Sequence, residues 1–345
     1  MKNIDGKRLR QLLGRFSDLR IAVVGDFFLD SHFDCDPTLD ERSLETGKTC
    51  YQVVRTRRQP GAAGLVAANL RALGVGSVEA VGFCGDDGEG YELRRAMRDI
   101  GLDLTGFFTC EDRCTPTYGK RFYLDPKGEL KTVGQELERV DIKNRRTTPV
   151  SLQEQLIDYL RQCCSSWDGL IMLEQVKEAN RGVLTSRVRK ALIELTRRNN
   201  KLVTLADSRE RIGLFKHVMI KLNEYDAARA LGFNGKRISV AASRTNAAQL
   251  SRRTKRPVVL TMGARGILIA NGDSLEHIRA CKVEGPIDSV GAGDAVSAVL
   301  AASLASGSSL LEAATIATVA AAITVRQIGT TGTAPQAQLF SYFPI

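Results

Sequence analysis

Short apolar runs alternate with segments of helical length along most of this chain, and that alternation limits the fold more than any other feature. Residues 21–24 (Ile21, Ala22, Val23, Val24) form such a run after a charged amphipathic segment and end in Gly25-Asp26. A run that is apolar at every position, not at every second one, is the pattern of a parallel strand buried on both faces. Residues 62–73 predict a helix, followed by Gly74 and a strand at 78–83; residues 89–100 predict another helix, stopped by Gly101. Then come a strand at 169–173, a helix at 185–198, and strands at 201–205 and 218–221. Strands at 257–261 and 267–270 flank a glycine turn. This order implies an α/β protein with one doubly wound, mostly parallel sheet. With 345 residues, no repeat and no evident linker, a single domain over residues 1–345 is expected.

Two stretches break the rhythm. Residues 33–58 are polar with a β-prone centre at Tyr51, Gln52, Val53 and Val54. Residues 117–133 read as a hairpin with Asp125-Pro126-Lys127-Gly128 as its turn. Both are too β-like for crossover helices, so they are expected to pair into a small β lid standing off the main sheet. Tyr51, Val53, Phe122 and Leu124 would make one lid face too apolar to leave in water, which predicts a homodimer formed lid to lid.

Charge and hydropathy narrow the function class. Lys and Arg outnumber Asp and Glu 49 to 39, for a net charge of +10. That balance suits anionic small substrates. The basic runs (Arg55-Thr56-Arg57-Arg58, Lys143-Asn144-Arg145-Arg146, Arg252-Arg253-Thr254-Lys255-Arg256) are short and carry no interleaved aromatics, so no nucleic-acid partner is expected. Residues 252–256 are expected to follow a helix, where cations are favourable. Residues 1–20 hold no apolar signal core. The most apolar stretch, 295–325, is broken by Gly307-Ser308-Ser309 and carries Glu312. Neither half reaches the roughly 18 uninterrupted apolar residues of a membrane span, so it predicts two buried helices, no membrane partner and a cytoplasmic protein. The eight cysteines recur in no CxxC pair and none of the three histidines lies near a cysteine cluster, which argues for incidental thiols and against a zinc site.

The sharpest chemical feature is Asp288-Ser289-Val290-Gly291-Ala292-Gly293-Asp294, followed by a helix predicted at 295–306. Glycines just before a helix let backbone N–H groups converge where the helix dipole favours negative charge. A carboxylate at the same helix start can accept a hydroxyl proton. By itself, Gly-Ala-Gly-Asp is also an ordinary helix start.

Its company decides between the two. The segment resembles the C-terminal signature of the ribokinase-like (PfkB) carbohydrate kinase family, usually Asp-Thr-x-Gly-Ala-Gly-Asp, with Ser289 in place of Thr. Lys221-Leu222-Asn223-Glu224-Tyr225-Asp226 resembles the family's Asn-x-x-Glu motif, with the shorter Asp226 where Glu is usual. Thr261-Met262-Gly263-Ala264-Arg265-Gly266 resembles its Thr-x-Gly-x-x-Gly turn. Gly25-Asp26-Phe27-Phe28-Leu29-Asp30 resembles its opening strand and loop. Each motif is weak, but the four fall in the family's order.

The resemblance implies ATP as co-substrate and Mg²⁺ as cofactor, with a monovalent cation as a further family option. It implies Asp294 as the catalytic base and the amides of Gly291, Ala292 and Gly293 as an anion hole. It places the nucleotide on Lys221, Asn223, Thr261, Gly263 and Gly266, and Mg²⁺ on Asn223 and Asp226, directly or through water. It places a sugar or sugar phosphate on Asp26, Asp30 and Gly61, with Arg139 as a cation for an anionic acceptor; the predicted hairpin brings Lys120 near the mouth of the same site. Within the family the chain is most similar to heptose-7-phosphate kinase domains, through Val24-Gly25-Asp26, Leu29-Asp30, Arg139-Val140-Asp141 and Val325-Arg326-Gln327-Ile328-Gly329-Thr330. The adenylyltransferase half found beside such domains is expected to be absent, since no His-x-Gly-His occurs.

Three departures bear on the acceptor. Pro-Gly-Gly-Ala-Ala-Asn is here Pro60-Gly61-Ala62-Ala63-Gly64-Leu65, so Leu65 replaces a sugar-binding Asn. The Asp-Tyr-x-Lys-Gly segment has become residues 174–182, Glu174 to Gly182. Thr318 stands where an Asn commonly flanks adenine. Two other readings stay open: a kinase of the same fold for a nucleoside or other small alcohol, and a non-catalytic sugar- or nucleotide-binding regulator. A dehydrogenase is disfavoured, because Val23-Val24-Gly25-Asp26 lacks the Gly-x-Gly-x-x-Gly turn.

Overall fold

The computed structural model of the chain describes residues 4–125, 127–128, 136–199, 201–233, 237–328 and 332–343. The strands, in chain order, are β1 Arg20–Gly25, β2 Phe27–Cys35, β3 Glu41–Arg42, β4 Thr49–Cys50, β5 Val53–Ala62, β6 Ser77–Gly85, β7 Phe107–Cys110, β8 Thr117–Tyr123, β9 Val140–Ile142, β10 Gly169–Glu174, β11 Val203–Ser208, β12 Met219–Asn223, β13 Val258–Thr261, β14 Ile267–Asn271 and β15 Ser274–Ile278. The helices are α1 Gly6–Leu13, α2 Ala63–Ala72, α3 Gly88–Asp99, α4 Val150–Cys163, α5 Ser186–Arg198, α6 Glu224–Ala230, α7 Val240–Thr254, α8 Ala292–Ala305, α9 Leu310–Thr324 and α10 Gln336–Phe340.

The main sheet runs β15-β14-β13-β12-β11-β10-β1-β6-β7. Every neighbouring pair from β13 to β7 is parallel, and β14 and β15 add an antiparallel edge. This is the doubly wound, mostly parallel sheet that the alternating runs predict. Successive side chains of a strand point to opposite faces. On β1, Ile21 and Val23 enter one core with Leu9, Leu70, Val299 and Ile316, while Ala22 and Val24 enter the other with Leu156, Leu192 and Leu250. Two covered faces are why the run has no polar position.

The apolar stretch after residue 294 forms α8 and α9, buried on nearly every side. Gly307, at φ +92°, turns the chain between them, and Ser309 with Glu312 closes a capping box on α9. Arg8 reaches Glu312 at 2.9 Å and ties α1 to that cap. Among the described residues no helix is long and apolar enough to cross a membrane. All eight cysteines are free thiols.

Three boundaries move in ways that matter. Helix α8 begins at Ala292, so Gly293 and Asp294 lie in its first turn. Strand β11 runs to Ser208, past the expected end at 205, which carries Asp207 to the sheet's C-terminal edge. Arg252 and Arg253 lie inside the last turn of α7, and only Lys255 and Arg256 follow it.

The small sheet forms, in the order β5-β2-β8-β9, with wider limits than 33–58 and 117–133. Strand β2 begins at Phe27 and β5 runs to Ala62, and between them β3 and β4 make a separate two-stranded hairpin. Strand β8 pairs antiparallel with β9, so the return strand lies beyond residue 133. Pro126 of the expected turn, residues 129–133 of the expected hairpin, and Gly329 and Thr330 lie outside the described residues. The expected apolar face also differs. Val53 is exposed, but Tyr51 rests on Tyr123 with ring centroids 5.8 Å apart and Phe122 rests on His32 at 5.5 Å. Among the described residues, the exposed apolar side chains of the lid are Leu39, Leu44, Val53, Val54 and Val140.

Candidate active site

A cavity of about 1090 Å³ opens at the C-terminal ends of β10 to β13, where ligands of open α/β sheets bind. The main sheet supplies Leu173, Gln175, Asp207, Arg209, Lys221, Asn223 and Thr261; the lid supplies Phe28, Asp30, Tyr118, Lys120 and Arg139. The first turn of α8 forms the wall between these two groups.

Gly291 adopts φ +83°, a left-handed conformation that costs glycine little, and its carbonyl accepts the N–H groups of Asp294 and Ala295 at 3.1 Å. The amide of Ala292 makes one long bond, 3.4 Å, to Ser289 O. The amides of Gly291 and Gly293 donate to no other described residue. A helix start with unpaired N–H groups facing a cavity can hold an anion. Lys221 adds a positive charge there: a Cβ on Gly293 would lie 2.9 Å from its Nζ, so only glycine lets the ammonium come so near the backbone. Lys221 Nζ also lies 2.7 Å from Asp207 Oδ2. Burial pushes the Asp294 carboxyl up to about 7, against the pull of Lys221 and Arg209 and with the push of Asp207 and Asp30. A carboxylate poised there can take a hydroxyl proton and release it again.

At one end of the cavity, Asn223 caps α6 by accepting the Asp226 N–H at 2.8 Å. Glu224 pairs with Arg265 of the Thr261–Gly266 turn, joining that turn to the start of α6. Gly263 and Gly266 have φ of +56° and +93°, and a Cβ on Gly266 would fall 2.0 Å from Ile278 O. Asp226 pairs with Arg229, and burial raises its carboxyl above the usual range. Cys281 and Thr318 line the same end.

At the other end, Asp30 faces the cavity, and a Cβ on Gly61 would lie 2.6 Å from its Oδ2. Asp26 does not face the cavity. It is buried, and its oxygens accept the N–H groups of Gln175 (2.8 Å), Val176 (2.9 Å) and Val183 (2.7 Å). The expected acceptor ligand is therefore an anchor for the loop after β10. Arg139 lines the cavity, but its Nε and Nη2 are engaged by Asp141 at 2.6 and 2.8 Å, so its fork is not open to a phosphate as it stands. Lys120 lines the cavity with no ion pair among the described residues. Leu65, in the Asn position, is buried at the cavity wall beside Ala62.

Residues 171–337 match the model of the pfkB family carbohydrate kinase. That stretch, just under half of the chain, is similar to the pfkB carbohydrate kinases and holds three of the four motifs. Curated relatives include a bifunctional protein HldE from Trichlorobacter lovleyi, 29% identical over 344 residues, covering 96% of this chain and 64% of that one. Another HldE, from Caulobacter, is 31% identical over 326 residues, covering 93% and 62%. The chain thus spans less than two thirds of the length of these relatives. Escherichia coli phosphofructokinase-2 in complex with substrates and products shares the fold at a TM-score of 0.70 and 15% identity, covering 94% of this chain and 99% of that one. Arabidopsis thaliana ribokinase complexed with ribose and ATP does so at 0.67 and 14%, covering 95% and 99%.

Several cavity residues were not singled out in the sequence, among them Tyr118, Gln175, Asp207 and Arg209. Asp207 had a usable signal, an acidic residue just past an apolar strand run, but the strand was ended at 205. Gln175 lay in the departing segment 174–182 with no role attached to it, and Arg209 had no signal, since an arginine after a strand is commonplace.

Proposed function

We propose that this protein is an ATP-dependent phosphotransferase that phosphorylates a hydroxyl of a sugar or sugar phosphate. The observation that carries this reading is the position of Asp294, a carboxylate poised near neutral pH beside the unpaired amides of Gly291 and Gly293. It lies between a nucleotide-like turn and the hydroxyl-binding carboxylate of Asp30, along one continuous cavity.

ATP would lie along Asn223 and the Thr261–Gly266 turn, and the acceptor between Asp30, Lys120 and Tyr118. Asp294 takes the acceptor's hydroxyl proton as that oxygen bonds to the γ-phosphorus and the bond from phosphorus to the β,γ-bridging oxygen breaks; ADP leaves with that oxygen. The amides of Gly291 to Gly293 and the Lys221 ammonium sit where the charge of the transferring group needs donors. Holding both substrates at one helix start also removes the entropy of bringing them together.

The residues present fit Mg²⁺. The ion binds through one or two carboxylates together with substrate phosphates and water, and Asp226 and Asp207, which pair here with Arg229 and Lys221, would offer two at the nucleotide end. It would neutralise phosphate charge there. A cytoplasmic location fits the same reading, as does a homodimer formed through the lid, whose two edge strands expose Val53 and Val54 on β5 and Val140 on β9. Light scattering at micromolar concentration checks the dimer, and a monomer would remove it. The activity itself is tested by ADP release across neutral sugars, sugar phosphates, heptose phosphates and nucleosides. Release with no acceptor above the basal rate would sink the proposal.

A further inference from the structure

Arg209 stands directly after β11, between the strand that leads to the acceptor end of the cavity (β10) and the strand that leads to the nucleotide end (β12). It is held at three atoms. Its N–H donates to Glu174 O at 3.2 Å, its carbonyl accepts from Arg229 Nη2 at 2.7 Å, and its Nε donates to Gln175 Oε1 at 3.1 Å. Gln175 is fixed in turn through its own N–H on Asp26. The other cations of the cavity wall are mostly matched: Lys221 by Asp207, Arg139 by Asp141, Lys282 by Glu284. Arg209 has no carboxylate partner among the described residues, and a neutral amide holds its Nε. The terminal nitrogens of its guanidinium therefore keep their donors while their orientation is set. Its charge also acts on Asp294, Asp226 and Tyr118, drawing each toward its ionised form, so the guanidinium stands among base, metal-end carboxylate and lid.

We propose that Arg209 grips the γ-phosphoryl group of the nucleotide during transfer, with Gln175 as the residue that positions its fork. This rests on the phosphotransferase reading above. A planar, pre-set fork matches the oxygens of a phosphoryl group and needs no rearrangement as charge moves onto them. The acceptor's own phosphate is the competing ligand. Position favours the γ-phosphoryl, because the Arg209 carbonyl is held at 2.7 Å by Arg229, the partner of Asp226 at the nucleotide end.

The test needs no acceptor. Calorimetry measures Mg²⁺ complexes of AMP-PNP and ADP on the wild type, Arg209→Met, Arg209→Lys and Gln175→Leu. Loss of a charge-assisted contact to the third phosphate should weaken AMP-PNP about tenfold or more in Arg209→Met and leave ADP within about twofold. Arg209→Lys should recover part of the loss, and Gln175→Leu should show a smaller loss confined to AMP-PNP. Equal weakening of both nucleotides, or of neither, overturns the assignment. So does an unchanged AMP-PNP affinity with a raised KM for sugar phosphates, which would hand Arg209 to the acceptor. A wild type that binds neither nucleotide would instead overturn the phosphotransferase reading, and this inference with it.

Discussion

Gly61 closes on Asp30 so tightly that a Cβ would lie 2.6 Å from Oδ2 of the carboxylate. The contact is possible because β5 and β2 are antiparallel neighbours, with Gly61 opposite Phe28 and Asp30 two residues along. Gly61→Ala must push the Asp30 carboxylate aside. The expected result is an acceptor KM raised about tenfold, the scale of a charged hydrogen bond, with AMP-PNP affinity unchanged. Equal loss of nucleotide affinity would mean that Gly61 supports the whole sheet edge and not the acceptor end.

Asp294→Asn should lower turnover by about 10²–10⁴-fold while the fold and nucleotide binding persist, the usual range for a general base. The pH profile carries a sign. The ionised form is the base, and burial raises its pKa to about 7. kcat/KM should therefore climb as pH rises through that value and fall below it, and the residual activity of Asp294→Asn should lack this limb. A wild-type profile flat from pH 6 to 8, about one unit either side, would remove Asp294 as the titrating base.

Asp226 shares its carboxylate with Arg229 at the nucleotide end. Asp226→Ala should raise the Mg²⁺ concentration needed for half-maximal rate by about 10–100-fold, as loss of an outer ligand does, and leave acceptor affinity without nucleotide nearly unchanged. Collapse of acceptor affinity at unaltered Mg²⁺ dependence would show that the motif serves the other substrate.

Ala62 holds φ +52° and ψ −117° at the start of α2, where the family motif has its second glycine. Such a conformation costs an L-residue about 1–3 kcal/mol, and glycine returns part of that through its looser unfolded chain. Ala62→Gly should therefore stabilise the protein by about 1 kcal/mol, read as a higher midpoint in denaturant. A lower midpoint would show that the Ala62 methyl contributes more through packing at the cavity wall than the backbone loses.

The architecture was legible from the chain because both determinants are local. A strand covered on two faces must be apolar at every position, and residues 21–24 and 169–173 are. A helix that starts on glycines, with a carboxylate in its first turn, needs only neighbours in sequence, so Gly291, Gly293 and Asp294 could be picked out in advance. Asp26 could not be told from Asp30 in the same way. Both follow β1 within a few residues, and what separates them is contact with Gln175, Val176 and Val183, roughly 150 residues away. The pairing of Arg139 with Asp141 lay within reach, since the two are only two residues apart at the start of β9. The cage around Arg209 did not: Glu174, Gln175 and Arg229 meet it only because parallel crossovers bring the ends of β10, β11 and β12 side by side. Sequence alone therefore determined the layers, the glycine turn and the carboxylate beside it. The tertiary structure decided which charged groups are engaged and which stay open to a ligand, because a side chain's hydrogen-bond partners are set by what the fold places within 3 Å of it, on the order of one bond length.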